Sequence, residues 1–407
     1  MRLQKRSGNG LILLFAAAYF ISYLTRVNYS TILSEMERAT GFSKDALSLA
    51  LTGSFITYGA GQLVSGILGD LISPKKLLAA GIGLSTVMNI LLPLYPNPWW
   101  MLGIWCVNGF AQSFMWPPLV KLMTMHLPEK DYQKGILWAS YGCSLATVLL
   151  YLLSPVLISW LGWRSVFFFC AAGGAVMLLV WLRLCPEGEI QPAAVAPKTG
   201  KRTGLLFAPA MLGIMGAIIL HGMLKEGVSA WMPTYISETY QLDNRIAILS
   251  GVVMPIFSAL SVKASGAVFR KFFTNPVACA VAVFAVSTLA AVLLPLLSGG
   301  NAIASILLMA LLTGSMHGIN LMLISSIPPF FKKMGAVSTA SGLLNACTYL
   351  GSAGATYGIA VLSERFGWGV TLWSWVAMAA GGCLLCALCF RSFRKKIMAT
   401  SSTEDKG

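Results

Sequence analysis

Tyr19-Phe20-Ile21-Ser22-Tyr23-Leu24-Thr25-Arg26-Val27-Asn28 sits inside an otherwise apolar run from Gly10 to about Leu33. A helix of that length crosses a bilayer, and a cation near its middle costs about 2.5–3.5 kcal/mol on insertion scales. A charge kept there at such a cost is expected to face a polar cavity and to act in it. The stretch therefore reads as a membrane span whose arginine meets an anion.

The rest of the chain has the same character. Of its 407 residues 57% are hydrophobic and 11% charged, with a mean hydropathy of +0.74, where a soluble domain carries about a quarter charged residues. The expected fold is an all-α membrane protein of twelve transmembrane helices. Their centres fall near Ile21, Tyr58, Val87, Val107, Val148, Met177, Leu220, Pro255, Val283, Ala310, Tyr349 and Val376, separated by polar or Pro/Gly-containing turns. The apolar pattern breaks in the middle, where Pro186, Glu187, Glu189, Gln191, Pro192, Pro197, Lys198, Lys201 and Arg202 cluster. That break divides the chain into six-helix bundles at 1–184 and 205–391, with a cytoplasmic linker at 185–204 and a cytoplasmic tail at 392–407. Leu161-Gly162-Trp163 opens the sixth span as Phe366-Gly367-Trp368 opens the twelfth. Lys134-Gly135 precedes the fifth as Lys333-Met334-Gly335 precedes the eleventh. Duplication of a six-span unit follows, with the halves related by a pseudo-two-fold axis along the membrane normal and each built of inverted three-helix repeats.

Lysine and arginine are retained on the cytoplasmic side of membranes. With the N-terminus inside, Arg2, Lys5, Arg6, Lys75, Lys76, Lys130, Lys134, Arg183, Lys198, Lys201, Arg202, Arg270, Lys271, Lys332, Lys333, Arg391, Arg394, Lys395, Lys396 and Lys406 are cytoplasmic. Only Arg38, Lys44, Arg164, Arg245 and Arg365 are external. Both termini are thus expected in the cytoplasm, in a multi-pass protein of the cell membrane. The net charge of +15 records this topology rather than a nucleic-acid partner. The basic N-terminal start resembles a signal peptide, but the apolar run behind it is too long and carries Arg26, so it is expected to remain as the first span. Nearly all of the nine cysteines lie in apolar spans and read as packing residues; Cys383, Cys386 and Cys389 share a helix face, but no histidine or carboxylate completes a metal site. No metal and no cofactor is expected. Without a phosphate loop, a nucleotide-binding domain or paired intramembrane carboxylates the chain does not read as an enzyme, and its energy source would be a gradient. It is expected to work as a monomer in the lipid bilayer.

The seventh span, equivalent to the first by duplication, reads His221-Gly222-Met223-Leu224-Lys225-Glu226-Gly227 and places Lys225 at about the depth of Arg26. Two cations would then face each other across the interface of the halves, where one anion bridges both. Neighbours one apart diverge on a helix, so Glu226 need not cancel Lys225 and instead offers a protonatable carboxylate at cavity depth. His317 is a second titrating candidate, although a hydrogen-bonded packing role is the commoner fate of such a residue. At the cytoplasmic end of span two, Asp70 can accept from a helix N-terminus across the domain interface and pair with Lys121, a latch that includes Gly66 and opens and closes as the halves rock.

These motifs together resemble the major facilitator superfamily, and within it the organophosphate:phosphate antiporters that carry glycerol-3-phosphate or hexose phosphates. The resemblance rests on Gly66-Ile67-Leu68-Gly69-Asp70 followed by Lys75-Lys76, on Tyr23-Leu24-Thr25-Arg26, and on Gly109-Phe110-Ala111-Gln112-Ser113-Phe114-Met115-Trp116-Pro117-Pro118. It continues in Trp231-Met232-Pro233-Thr234-Tyr235, Lys332-Lys333-Met334-Gly335-Ala336 and Tyr349-Leu350-Gly351-Ser352. It implies that Arg26 and Lys225 grip the anionic head of the cargo while Tyr19, Tyr23, Tyr58, Gln62, Tyr349 and His317 line the rest of the cavity. The family pattern has arginine where Lys225 stands, lysine where Val27 and Gln62 stand, and histidine where Gly142 stands. Lysine cannot reproduce the planar fork of arginine, and fewer cations neutralise a dianion less well. The implied function is alternating-access transport of a small organic anion, a phosphorylated metabolite or a related anion, in exchange for phosphate. Proton-coupled symport through Glu226 and His317, and a membrane-embedded sensor on the same scaffold, stand as alternatives.

Overall fold

The computed structural model describes residues 8–42, 44–187, 204–241, 253–332 and 334–398. Most of the linker expected at 185–204, the end of the tail, and Arg2, Lys5, Arg6, Lys198, Lys201, Arg202, Arg245, Lys333 and Lys406 lie outside the described residues. Among the described residues all regular structure is helical. The helices are α1 (Gly8–Thr31), α2 (Leu33–Thr40), α3 (Lys44–Leu71), α4 (Pro74–Leu91), α5 (Pro98–Ser113), α6 (Trp116–His126), α7 (Glu129–Leu161), α8 (Arg164–Leu184), α9 (Pro209–Tyr240), α10 (Val253–Phe272), α11 (Pro276–Leu297), α12 (Ala302–Ile319) and α13 (Val337–Phe393). They make twelve membrane passes: α5 and α6 share the fourth, and α13 supplies the last two, turning at Gly367. Every span centre expected from the sequence lies in one of these helices. The short amphipathic α2, with its Arg38–Glu35 ion pair, is additional.

The chain forms two compact units. One comprises Met1–Ala193 together with Gly335–Leu343, the other Ala194–Met334 with Leu344–Gly407. Helix starts follow local chemistry. Pro74, Pro98, Pro209 and Pro276 occupy first turns, where a missing N–H costs nothing. The Asn97 side chain accepts from the N–H groups of Trp99 and Trp100, and Asn301 does the same for Ile303 and Ala304. Pass four breaks after Ser113 because Pro117 and Pro118 have no N–H to return to the carbonyls one turn back. Gly162 (φ 76°, ψ 170°) and Gly367 (φ 76°, ψ 173°), the glycines of the repeated Gly-Trp motif, adopt the same backbone conformation, one a side chain would resist.

Polarity is arranged for a lipid solvent. Leu13, Leu152, Trp160 and Leu388 are exposed on the outer surfaces of their units, while Asn28, Asn89, Asn108 and Gln112 are buried. In the first unit, Tyr29, Trp105, Trp163 and Phe167 pack an aromatic core between α1, α5 and α8, with ring centroids 5.1–6.2 Å apart.

Candidate functional site

Arg26 lies on α1, partly exposed, with its guanidinium carbon 4.3 Å from the ring centroid of Tyr58 on α3 and 5.5 Å from that of Tyr23. Tyr23 packs on Tyr19 at 5.3 Å, and Tyr19 on Trp116 of α6 at 4.8 Å. A cation over a ring face gains about 1–2 kcal/mol when desolvated. A guanidinium so placed carries planar N–H donors of the kind that meet a carboxylate or phosphate. Tyr19, Tyr23, Tyr58 and Arg26 are thus brought together. Gln62 is fully buried, and its Nε2 donates to the Ser113 carbonyl at 3.5 Å, one of the carbonyls stranded by the prolines of pass four.

Behind Arg26 runs a polar network that the sequence reading missed. Asn89 and Asn108 both donate to the carbonyl of Thr25, at 2.9 and 3.1 Å. Gln112 donates to Thr25 Oγ1 (2.9 Å) and Ser85 Oγ (2.7 Å) and accepts from Ser22 (2.6 Å). Ser85 donates to Asn108 (2.6 Å), and Asn28 to Asn89 (2.7 Å). Side chains of α1, α4 and α5 therefore grip the residue immediately before Arg26 and fix the rotation of α1 at that level. The signal was available: Ser85 and Asn89, and Asn108 and Gln112, are each four apart, polar residues on one face of an otherwise apolar helix.

At the end of α3, Asp70 accepts from the backbone N–H groups of Ser338 (3.1 Å) and Thr339 (2.7 Å), in the first turn of α13 within the same unit. These N–H groups have no partner inside their own helix and carry the positive end of its dipole. Lys121 reaches Asp70 Oδ1 at 3.3 Å and the Gly69 carbonyl at 2.8 Å. The Asp70 and Lys121 side chains are 5% and 15% exposed. A Cβ on Gly66 would stand 2.9 Å from the Ser338 carbonyl oxygen and 3.1 Å from Gly342 Cα, so only glycine admits this approach. The same contacts explain why Gly335–Leu343 clusters with the first unit rather than with the rest of its own sequence half.

In the second unit, Lys225 Nζ lies 3.2 Å from Glu226 Oε1. The sequence reading had the two side chains diverge; the flexible lysine stem instead curls back and closes the pair between adjacent residues. Both remain partly exposed. His317 on α12 places Nδ1 3.1 Å from the Thr313 carbonyl, one turn earlier. Tyr349 lies on α13 next to Thr348, whose carbonyl is the closest neighbour a Cβ on Gly222 would meet. His221, one turn before Lys225, is fully buried and was not singled out from the sequence.

The sequence of residues 15–356 matches the model of the Major Facilitator Superfamily, and the chain belongs to that family. A probable hexose phosphate transport protein of Chlamydia trachomatis is 29% identical over 152 residues, 37% of this chain and 33% of that protein, so the chain spans about a third of that relative's length. The glycerol-3-phosphate transporter of Bacillus subtilis is 26% identical over 85% of this chain and 84% of its own. Among solved structures, the superfamily transporter FucP superposes with a TM-score of 0.78 at 12% identity, over 94% of this chain and 99% of that one, a likeness of fold alone.

Proposed function

We propose that the chain is a secondary active carrier of a small organic anion, a phosphorylated metabolite or a close analogue, moved by alternating access in exchange for phosphate across the cell membrane, with both termini cytoplasmic. One observation carries the reading: a guanidinium inside a membrane pass, set over the Tyr58 ring and held at its root by a fully buried polar network. So costly an arrangement is kept where a charge is to be met. Lys225 is the second cation, compact and less directional than arginine, so its hold on the anionic head is less geometrically selective than a second arginine's. Asp70, Lys121 and the first turn of α13 form the latch, and Tyr19, Tyr23, Tyr58, Tyr349, Gln62 and His317 the surroundings of the cargo. The phosphate-ester relatives support the choice of anion.

The test is counterflow into proteoliposomes loaded with inorganic phosphate, with labelled glycerol 3-phosphate and phosphate outside. Time-dependent uptake that requires internal phosphate is expected, and it separates a carrier from a sensor, which would bind without accumulation. Arg26→Ala and Lys225→Ala are each expected to abolish it. Wild-type anion affinity in both variants would end the anion-carrier reading.

A further inference from the structure

His221 is the unexplained group of the second unit. Its side chain has no exposed surface, and neither ring nitrogen meets a partner in hydrogen-bond geometry, although the Ile218 and Met316 backbone lies close enough to interact with the ring. An imidazole must present at least one N–H, and leaving it unmet in an apolar interior is costly enough that native proteins seldom do so without a function at that site. The surroundings supply one. Lys225 follows His221 by four residues, on the same face of α9, and His317 of α12 lies close enough to interact with both. Glu226 is paired to Lys225 and acts on His317. Among the described residues, the parts of the other elements seen to pack here bring no charge: α13 presents Thr348 and Ser352 at Gly222, and the π-helical turn Asn320–Ser325 is uncharged. Two of the chain's three histidines thus share one small cluster with Lys225 and Glu226.

We propose that His221 is a proton-accepting site linked to anion binding at Lys225, so that each anion is carried together with a proton. The inference deepens the anion-carrier reading and rests on it. In the resting cluster Lys225 stands one turn from His221 and is paired with Glu226. An anion arriving at Lys225 reverses the local field, and a ring nitrogen of His221 then takes a proton from water, one N–H bond forming as hydronium loses one. The bound state holds one anion and one imidazolium beside the lysine. By reciprocity, a protein that binds a proton with the anion binds the anion more tightly as pH falls. This serves exchange and symport alike, since the proton cancels one unit of the charge moved. His317 is a different kind of group. The Thr313 carbonyl can only accept, so His317 Nδ1 carries the proton of a hydrogen bond already made.

The experiment is calorimetric titration of the purified full chain with inorganic phosphate, and separately with sulfate, which does not titrate near neutral pH. It is run at pH 7 in buffers of different ionisation enthalpy, whose slope counts the protons taken up. The wild type is expected to absorb about one proton per sulfate, and about one more per phosphate than phosphate's own titration accounts for. Its affinity should rise by up to about tenfold per pH unit lowered in the linked window. His221→Gln and His221→Asn should lose that proton and that slope. Anion binding by the wild type without proton uptake overturns the proposal whatever the variants do, as does uptake lost in His317→Gln and kept in the His221 variants. No binding of phosphate, sulfate or glycerol 3-phosphate by the wild type instead overturns the anion reading itself, and this inference with it.

Discussion

Replacing Asp70 by asparagine changes one atom and removes a charge from a nearly closed site. The carboxylate meets two helix-terminal N–H groups, each at one of its oxygens, and Lys121 at 3.3 Å. Hydrogen bonds to a charged partner contribute about 1.5–3 kcal/mol each. Asparagine keeps one carbonyl oxygen and turns an amide N–H₂ toward a second N–H donor. Lys121 retains the Gly69 carbonyl at 2.8 Å but loses its counter-charge. The packed state of Gly335–Leu343 against α3 should therefore weaken by about 2–4 kcal/mol, less than complete loss of a buried pair because Lys121 is partly solvated. Hydrogen exchange reads this directly: the Ser338 and Thr339 amides should exchange about 30–1,000 times faster. Turnover in the counterflow assay should fall severalfold, while anion affinity changes less than about threefold, because Asp70 lies more than three helical turns along α3 from Tyr58, the residue that packs on Arg26. Unchanged protection at Ser338 and Thr339, or unchanged uptake with weakened affinity, would refute this reasoning.

Other expectations concern the binding groups and their support. Arg26→Lys should still cost at least about tenfold in anion affinity, since the charge survives but the planar fork set over the rings does not, whereas Lys225→Arg should bind and shift preference toward phosphate esters. Gln112→Ala removes the acceptor of Ser22 and one donor each to Thr25 and Ser85 in the buried network, so its unfolding midpoint in detergent should drop by an amount equivalent to about 1–3 kcal/mol. Anion affinity should fall with it, because α1 loses its rotational anchor; an unchanged midpoint and affinity would remove the network from any role in holding Arg26. Burial pushes the Cys185 thiol, just past the end of α8, up to about 12 although Lys75 nearby works the other way. A thiol protonated to so high a pH carries little thiolate at pH 7.5, so maleimide should modify Cys185 about a thousandfold more slowly than a solvent-exposed cysteine, followed by peptide mass spectrometry.

The helical passes were legible because bilayer thickness dictates long apolar runs, and Arg26 because charge is so expensive within one. Asp70 and Lys121 could be related because each closes a motif at the same end of its span. Other features depend on contacts that no local pattern carries. The Lys225–Glu226 pair is a rotamer outcome, since helix geometry places Cβ atoms but not the end of a four-carbon stem. The bond of Gln62 to Ser113 exists because prolines on another pass leave a carbonyl wanting a donor. The network around Thr25 was written in polar residues four apart, yet its convergence needs three helices at once. His221 gave no signal, because a histidine in an apolar run looks alike whether or not it has a partner. The π-helical turn at Asn320–Ser325 also follows no motif in the sequence.

The glycines at the meeting of α3 and α13 bear on speed as well as fit. Where Gly66 and Gly342 touch, the two backbones meet without interlocking side chains, and Gly69 adds a third smooth position against Ser338. Surfaces of knobs seated in holes must unmesh before they part; a smooth seam parts with little such friction. The hold between these helices is therefore concentrated in the few polar bonds at its end, which break and re-form together, and the segment behaves as a catch on a bearing rather than as one gear turning on another.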